Sequence, residues 1–245
     1  MKEGSSVDPN ALEPYQVALH AYFHGRSEAQ LTIRRDDGVE DSMPMCHFFR
    51  QPADFSAIEQ AALARCRGSV LDVGAGSGVH SLVLQSKNMA VTAVDISPLA
   101  VEIMEQRGVR DVQCVDVFRF LGGPFDSILL LGHGVGMVED LPGLDQFLTH
   151  ARRLTASYGQ LLLHSLDVRQ TEDPKHLAYH EANLRAGRYV GEIRIRFEYE
   201  GQSGPYCSWL QVDLQTLQQR AESTGWNCEM ILEQGGDYLA CLTRT

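Results

Sequence analysis

The sequence has no C-x-x-C pair, no apolar run approaching the ~18 residues of a membrane span, and too few basic residues to balance its acids. Its six cysteines (Cys46, Cys66, Cys114, Cys207, Cys228, Cys241) are widely spaced. That spacing argues against a disulfide framework or a zinc module and predicts reduced thiols, mostly in the core. The first ten residues, MKEGSSVDPN, contain no apolar stretch of the kind a secretory signal needs. The expectation is a soluble, cytoplasmic chain with no membrane partner and a disordered first ten residues. With 21 Lys+Arg against 32 Asp+Glu, the net charge is −11 and the pI about 5.2. Phosphate neutralisation therefore cannot supply much affinity, and nucleic acid is not an expected partner. Repeats and low-complexity segments are also missing.

What is present is ordinary globular composition: 245 residues, 44% hydrophobic and 22% charged, enough for one large core. Five short β-rich runs, 70–73, 90–94, 112–115, 127–131 and 160–163, alternate with helical patterns. That alternation predicts an α/β fold with a mostly parallel sheet, and the apolar runs suit strands buried on both faces. Ser97 and Pro98 read as an N-cap and first-turn proline of a helix that Gly108 closes. Leu144, Phe147, Leu148, Ala151 and Leu154 mark the buried stripe of another. Residues 53–245 are expected to form the main domain, beginning with a helix through Phe55, Ile58, Ala62 and Leu63. Residues 1–52 would form a cap, with a helix carrying Leu12, Tyr15, Leu19, Tyr22 and Phe23 and a hairpin turning at a D-G pair. Downstream, an inserted hairpin is expected over 188–211. Its first strand has Ile193, Ile195, Phe197 and Tyr199 on one face and charged residues, including Arg194 and Arg196 with balancing glutamates, on the other. A helix capped by Asp213 and two last strands finish the chain.

The segment GSVLDVGAGSGVHSL carries the chemistry. A strand ends at Asp72 and Val73, and Gly74, Gly76 and Gly78 turn the chain into a helix, letting backbone approach a nucleotide-like ligand. The dinucleotide fingerprint G-x-G-x-x-G is not met, because position 79 is Val. Asp95 ends the second strand, where an acid can accept both hydroxyls of a ribose, and Asp116 ends the third. Three acids at successive strand ends line one crevice.

The combination of VLDVGAGSG, AVDISP, VDVF, FDSILLLGHGVG and GQLLLHSLD resembles the class I S-adenosylmethionine-dependent methyltransferases, from about residue 66 to the C-terminus. The resemblance implies a Rossmann-like, doubly wound seven-stranded sheet with an antiparallel last strand, and S-adenosyl-L-methionine as cofactor. It implies that Asp72 contacts the cofactor's amino group, directly or through water, and that Gly74, Gly76 and Gly78 surround its methionine portion and ribose. Asp95 would hold the ribose hydroxyls with Ile96 packing on adenine, Asp116 and Val117 would recognise the adenine edge, and Gly132 and His133 would sit near the sulfonium. The tetrapeptide of amino-group nucleic-acid methyltransferases and the P-C pair of cytosine-5 enzymes are both missing, in keeping with the acidic charge.

For catalysis, His133 in GHGVG is the candidate base, with a cofactor-contacting or loop-packing role as the alternative. His80 reads as structural or cofactor-side and His164 as a core histidine. No metal is expected. Tyr22, Phe49 and Arg50 are the candidate substrate residues; Arg50 beside two phenylalanines would close over the cofactor or bind an acidic group, or else lie on the surface. The function expected is methyl transfer to a small-molecule acceptor by in-line displacement. A non-catalytic cofactor-binding regulator or scaffold is the alternative, and an NAD(P)-dependent oxidoreductase a more distant one.

Overall fold

The computed structural model describes residues 7–245. The disorder expected of residues 1–10 lies outside the described residues as far as position 6, and from Val7 onward it is corrected. Val7 is fully buried, its N–H donates to the Met137 carbonyl at 3.0 Å, and Asp8 caps a 3-10 turn over Pro9–Leu12. An apolar side chain and a backbone hydrogen bond anchor the segment.

Along the chain, α1 (Glu13–Phe23) and a hairpin of β1 (Gln30–Arg35) and β2 (Glu40–Pro44) precede α2 (Ala57–Arg65). Then follow β3 (Ser69–Val73), α3 (Val79–Ser86), β4 (Ala90–Asp95), α4 (Pro98–Arg107), β5 (Asp111–Cys114), β6 (Phe125–Leu130), α5 (Leu141–Leu154) and β7 (Thr155–Leu166). The remainder is α6 (Pro174–Arg185), β8 (Glu192–Tyr199), the short β9 (Gln202–Ser203), β10 (Cys207–Leu210), α7 (Leu214–Ser223), β11 (Trp226–Gln234) and β12 (Asp237–Arg244).

The core is a seven-stranded sheet in the order β11-β12-β7-β6-β3-β4-β5, with β12 antiparallel to both neighbours. The central strands are largely apolar because both faces are covered, with buried polar residues such as Asp72, Ser127 and Gln160 among them. Leu71, Ile128, Leu161 and Leu163 pack to one side with α5 and α7; Val70, Leu129 and Leu162 pack to the other with α2. All five residues of the α5 stripe are buried, and Ser97, Pro98 and Gly108 start and stop α4 as expected, the Ser97 hydroxyl accepting from Ala100 N–H at 3.1 Å. Strand order reverses between β3 and β6, which opens a crevice at the carboxyl ends of the strands.

The second sheet runs β10-β8-β1-β2, with β9 on β8. The N-terminal hairpin and the inserted one therefore form a single sheet: Ile33 lies opposite Phe197, and Trp209 opposite Ile193. Its alternation separates two faces. Ile33, Ile193, Ile195, Phe197 and Trp209 point toward the crevice. On the outer face Arg34 forks onto Glu198 at 2.8 and 3.1 Å, and Arg196 reaches the same carboxylate at 2.6 Å, the balanced charge ladder expected there. Helix α6 was not among the expected elements. Only Tyr179 and Asn183 on it are buried, so its apolar periodicity is faint.

Candidate active site

A cavity of about 750 Å³ runs from the glycine turn after β3 to the inner face of the cap sheet. That volume sits in the upper part of the ~300–1,000 Å³ range for ligand sites.

At the core end, Gly74 and Gly76 have φ of +64° and +57° and line the cavity. A Cβ on Gly74 would meet no atom within 4 Å, so the turn leaves a cradle open to a ligand. Gly78 differs. Its φ is +78°, but a Cβ there would stand 2.9 Å from Met104 and Val109, so it serves close packing of the turn against α4 rather than the cavity. Asp72 is buried beneath the turn, where its carboxylate accepts from the Ser81 hydroxyl at 2.6 Å; burial pushes its pKa up, opposed by His80 and that hydrogen bond. Asp95 Oδ2 accepts from Gly76 N–H and Oδ1 from Ser97 N–H, both at 2.9 Å. Burial raises its pKa against those two bonds. A carboxylate has about four acceptor sites, and with Ile96 N–H also bonding it, capacity remains for a ligand hydroxyl.

Ile96 and Val117 line the same cavity. Asp116 does not; it caps the 3-10 turn over Val117–Arg119, its Oδ1 accepting from Phe118 N–H at 3.0 Å. Gly132 and His133 also line it, with φ of +59° each. A histidine held in the left-handed region is sterically uncommon, and such strain concentrates at functional positions.

The cap places its residues otherwise than expected. Tyr22 stacks on Phe49 at 4.9 Å, and the Arg107 guanidinium covers Phe49 at 5.0 Å, so both aromatics pack between α1 and α4 away from the cavity. The residues that do line it are Tyr15 and Phe48, in edge contact at 5.2 Å. The Tyr15 hydroxyl stands 3.4 Å from where a Cβ on Gly76 would be, and burial, with Asp95 nearby, pushes the phenol's pKa up. The Ser77 hydroxyl donates to the Phe48 carbonyl, tying cap to glycine turn. Arg50 reaches the cavity wall but is already engaged, donating to Glu59 at 2.8 Å and to the His47 carbonyl at 2.7 Å. Glu59 also holds His80 at 2.8 Å. Burial would raise the Glu59 carboxyl, but hydrogen bonds from His80 and Ser56 hold it down to about 2.

Two clusters with metal-ligand composition occur among the described residues. His20, His24 and Glu102 lie largely exposed between α1 and α4; His133, His164 and Asp237 lie beside the cavity. In the second, Asp237 Oδ1 is 3.0 Å from His133 Nε2 and 3.1 Å from His164 Nε2, distances that hydrogen bonds account for. Asp237 and its neighbour Gln211 carried no local signal in the sequence. One lies in a G-G-D turn, the other between a strand and a helix cap.

A methyltransferase-domain family profile matches residues 47–230. A solved S-adenosylmethionine-dependent methyltransferase from Bacteroides fragilis, in complex with S-adenosyl-L-homocysteine, is 34% identical, with 99% of each chain covered and a TM-score of 0.85. The sugar N-methyltransferase KedS8 from Streptoalloteichus is 16% identical over 81% of this chain and 92% of its own (TM-score 0.57), and DhpI, in complex with S-adenosyl-L-homocysteine, is 18% identical over 95% and 98% (TM-score 0.57); at these identities the likeness is one of fold. No curated protein matches the chain. The chain belongs to the methyltransferase-domain family and is a class I S-adenosylmethionine-dependent methyltransferase. The oxidoreductase and scaffold readings are thereby set aside. The open glycine cradle and the two acids beside it fit that cofactor. No helix among the described residues is long and apolar enough to cross a membrane.

Proposed function

We propose that the enzyme methylates a small organic acceptor held between the glycine turn and the apolar face of the cap sheet. The observation that carries this reading is the continuity of the cavity from Gly74, Gly76 and Asp95 to Ile33, Phe197 and Trp209. A chamber roofed by side chains suits a compact acceptor, and a chain at −11 repels the polyanion of nucleic acid. When bound, S-adenosylmethionine supplies a methyl group on a sulfonium. Asp72, Gly74, Gly76 and Asp95 hold its amino acid and ribose, Ile96 and Val117 flank its base, and Gly132 and His133 border the transfer point. Asp116 sets the Val117 turn and Gly78 sets the glycine turn on α4. The protein aligns the two reactants for in-line displacement, an effect worth about 7–11 kcal/mol in favourable cases. His133 takes the acceptor's proton. Residues 1–52 and 188–211 act together as the roof that selects the acceptor.

The test is calorimetry with S-adenosyl-L-homocysteine, followed by incubation with methyl-labelled cofactor and fractionated metabolites. Label appearing in a low-mass fraction is the expected result. Label entering only nucleic acid or protein would overturn the small-molecule assignment.

A further inference from the structure

Two histidines one turn apart on α1 face a glutamate on α4, at a seam between cap and core that the methyl-transfer site does not use. His20 and His24 stand at the i, i+4 spacing that puts side chains on one face of a helix, and the His24 N–H, donating to the His20 carbonyl at 3.0 Å, carries the helical turn as far as His24. Their rings lie 4.2 Å apart, centre to centre, and Phe23 meets the His24 ring edge-on at 5.2 Å. The sequence shows this H-x-x-x-H spacing but not its third member. Glu102 arrives by tertiary packing, its Oε1 3.9 Å from His20 Nε2.

Packing fixes the seam. Ala18 and Leu19 of α1 and Ala100 and Ile103 of α4 are buried in one apolar cluster, so His20 and Glu102, each beside one of them in sequence, ride on helices whose spacing the core sets. One turn further along α4, the Gln106 side-chain amide donates to Glu102 Oε1 at 2.9 Å and orients the carboxylate, as outer partners of metal ligands do. One donor atom from each of the three side chains falls within 4.8 Å of the other two. At 3.9 Å the approach of His20 to Glu102 is too long for a hydrogen bond, unlike the 3.0 and 3.1 Å contacts of Asp237 with His133 and His164. It is near the separation a shared ion imposes, because metal–ligand distances of about 2.0–2.2 Å in a tetrahedral zinc site set neighbouring ligand atoms about 3.3–3.5 Å apart. Side chains at the surface close that difference by small torsional changes. Two imidazoles and a carboxylate are a donor set for zinc and its transition-metal neighbours, whereas calcium and magnesium take oxygen ligands.

We propose that His20, His24 and Glu102 bind one zinc-class divalent ion that staples the cap helix α1 to α4. Water completes the coordination shell on the solvent side, where His24 is exposed. The site is structural: none of the three ligands lines the cavity, and no step of methyl transfer runs through the ion. What it joins is nonetheless close to the cofactor crevice. Helix α1 brings Tyr15 to the cavity wall, and the first turn of α4 is held to Asp95 through Ser97 N–H. A metal across the seam therefore ties the cap to the element that the ribose-binding acid anchors.

The test uses zinc itself with the full chain. Titration calorimetry near neutral pH should give one zinc per wild-type chain, and zinc at about a hundredfold above its Kd should raise Tm by about 5–10 °C over the EDTA-treated protein. His24→Ala and Glu102→Ala should each weaken binding by about tenfold or more, since even an outer partner of a metal ligand is worth that much, and should remove most of the rise in Tm. In EDTA both variants should melt within about 2 °C of wild type, because they are surface substitutions, and this separates loss of a ligand from loss of the fold. Cobalt(II) in place of zinc should give visible absorption without the charge-transfer band of a thiolate ligand, which distinguishes this site from the exposed Cys46 and Cys114. A thiolate band overturns the proposal. So does zinc binding that survives both variants, whether at His133, His164 and Asp237 or elsewhere, and so does uptake that never saturates, the mark of an adventitious ion only.

Discussion

Asp95 Oδ2 accepts a 2.9 Å hydrogen bond from the backbone N–H of Gly76, so the acid that ends β4 and the glycine turn that leaves β3 form one unit. The same carboxylate holds Ser97 N–H at the start of α4. Asp95→Asn keeps one acceptor oxygen and removes the charge. Charge-assisted hydrogen bonds are worth roughly 1.5–3 kcal/mol each, so affinity for S-adenosyl-L-homocysteine should fall by about tenfold to 150-fold. Calorimetry giving equal affinity for the two proteins would show that the ribose is held elsewhere.

Gly76→Val puts a branched side chain at φ +57°, with the Tyr15 hydroxyl 3.4 Å from its Cβ. The strain should cost about 1–3 kcal/mol of stability, and the side chain would enter the cradle. The expected outcome is a folded protein of lower Tm without measurable cofactor binding. Unchanged affinity would remove the glycine turn from the site.

Residues whose partners are near in sequence disclosed their structure in advance. Ser97, Pro98 and Gly108 bound α4, and Leu144 to Leu154 mark the buried face of α5, because caps and periodicity are local properties. The glycine turn and Asp95 were equally legible, since one βα unit contains both. The joining of the two hairpins was not, because β1 and β8 pair across a long separation: Ile33 meets Phe197 by tertiary packing that leaves no local trace. For the same reason Asp237, an acid in a glycine turn, carried no mark of its contact with His133. Tyr22 and Phe49 were misplaced because an aromatic periodicity does not say which neighbour it packs against; here Arg107 draws Phe49 to α4. Helix α6 did carry a start signal, Asp173 capping before Pro174, but too few apolar positions followed it.

Glu59, which caps α2 at Ser56 and holds His80 and Arg50, predicts a pH dependence of stability. Its pKa is lowered from 4.5 to about 2, so its contribution is complete above the unfolded value and is lost as pH falls from about 4.5 through about 2. A shift of that size corresponds to about 3 kcal/mol at neutral pH. Urea unfolding at neutral pH should therefore show Glu59→Gln less stable than wild type, with the difference shrinking through that acid window. A difference that stays constant down to pH 2 would mean that the carboxylate's ionisation is not what stabilises this corner.

The roof of the chamber makes the last prediction. Ile33 is on the cavity face of β1, opposite Phe197 in register, and belongs to the cap rather than to the glycine turn. Ile33→Trp would fill acceptor volume while leaving Asp95, Gly74 and Gly76 untouched. S-adenosyl-L-homocysteine should then bind within about twofold of wild type, whereas transfer to any low-mass acceptor should fall by at least about a hundredfold, since about 3 kcal/mol of lost alignment suffices. Ile33→Val, smaller by one methylene, should retain transfer. If Ile33→Trp binds the cofactor product and transfers methyl at the wild-type rate, the acceptor does not lie beneath the cap sheet. Deleting residues 1–52 is a harsher form of the same test, because it also removes Tyr15 and Phe48 from the wall and leaves β8 without β1. That truncation should lose both transfer and cofactor affinity, in contrast to Ile33→Trp, and the contrast separates the roof's selection of the acceptor from the cap's support of the cofactor crevice.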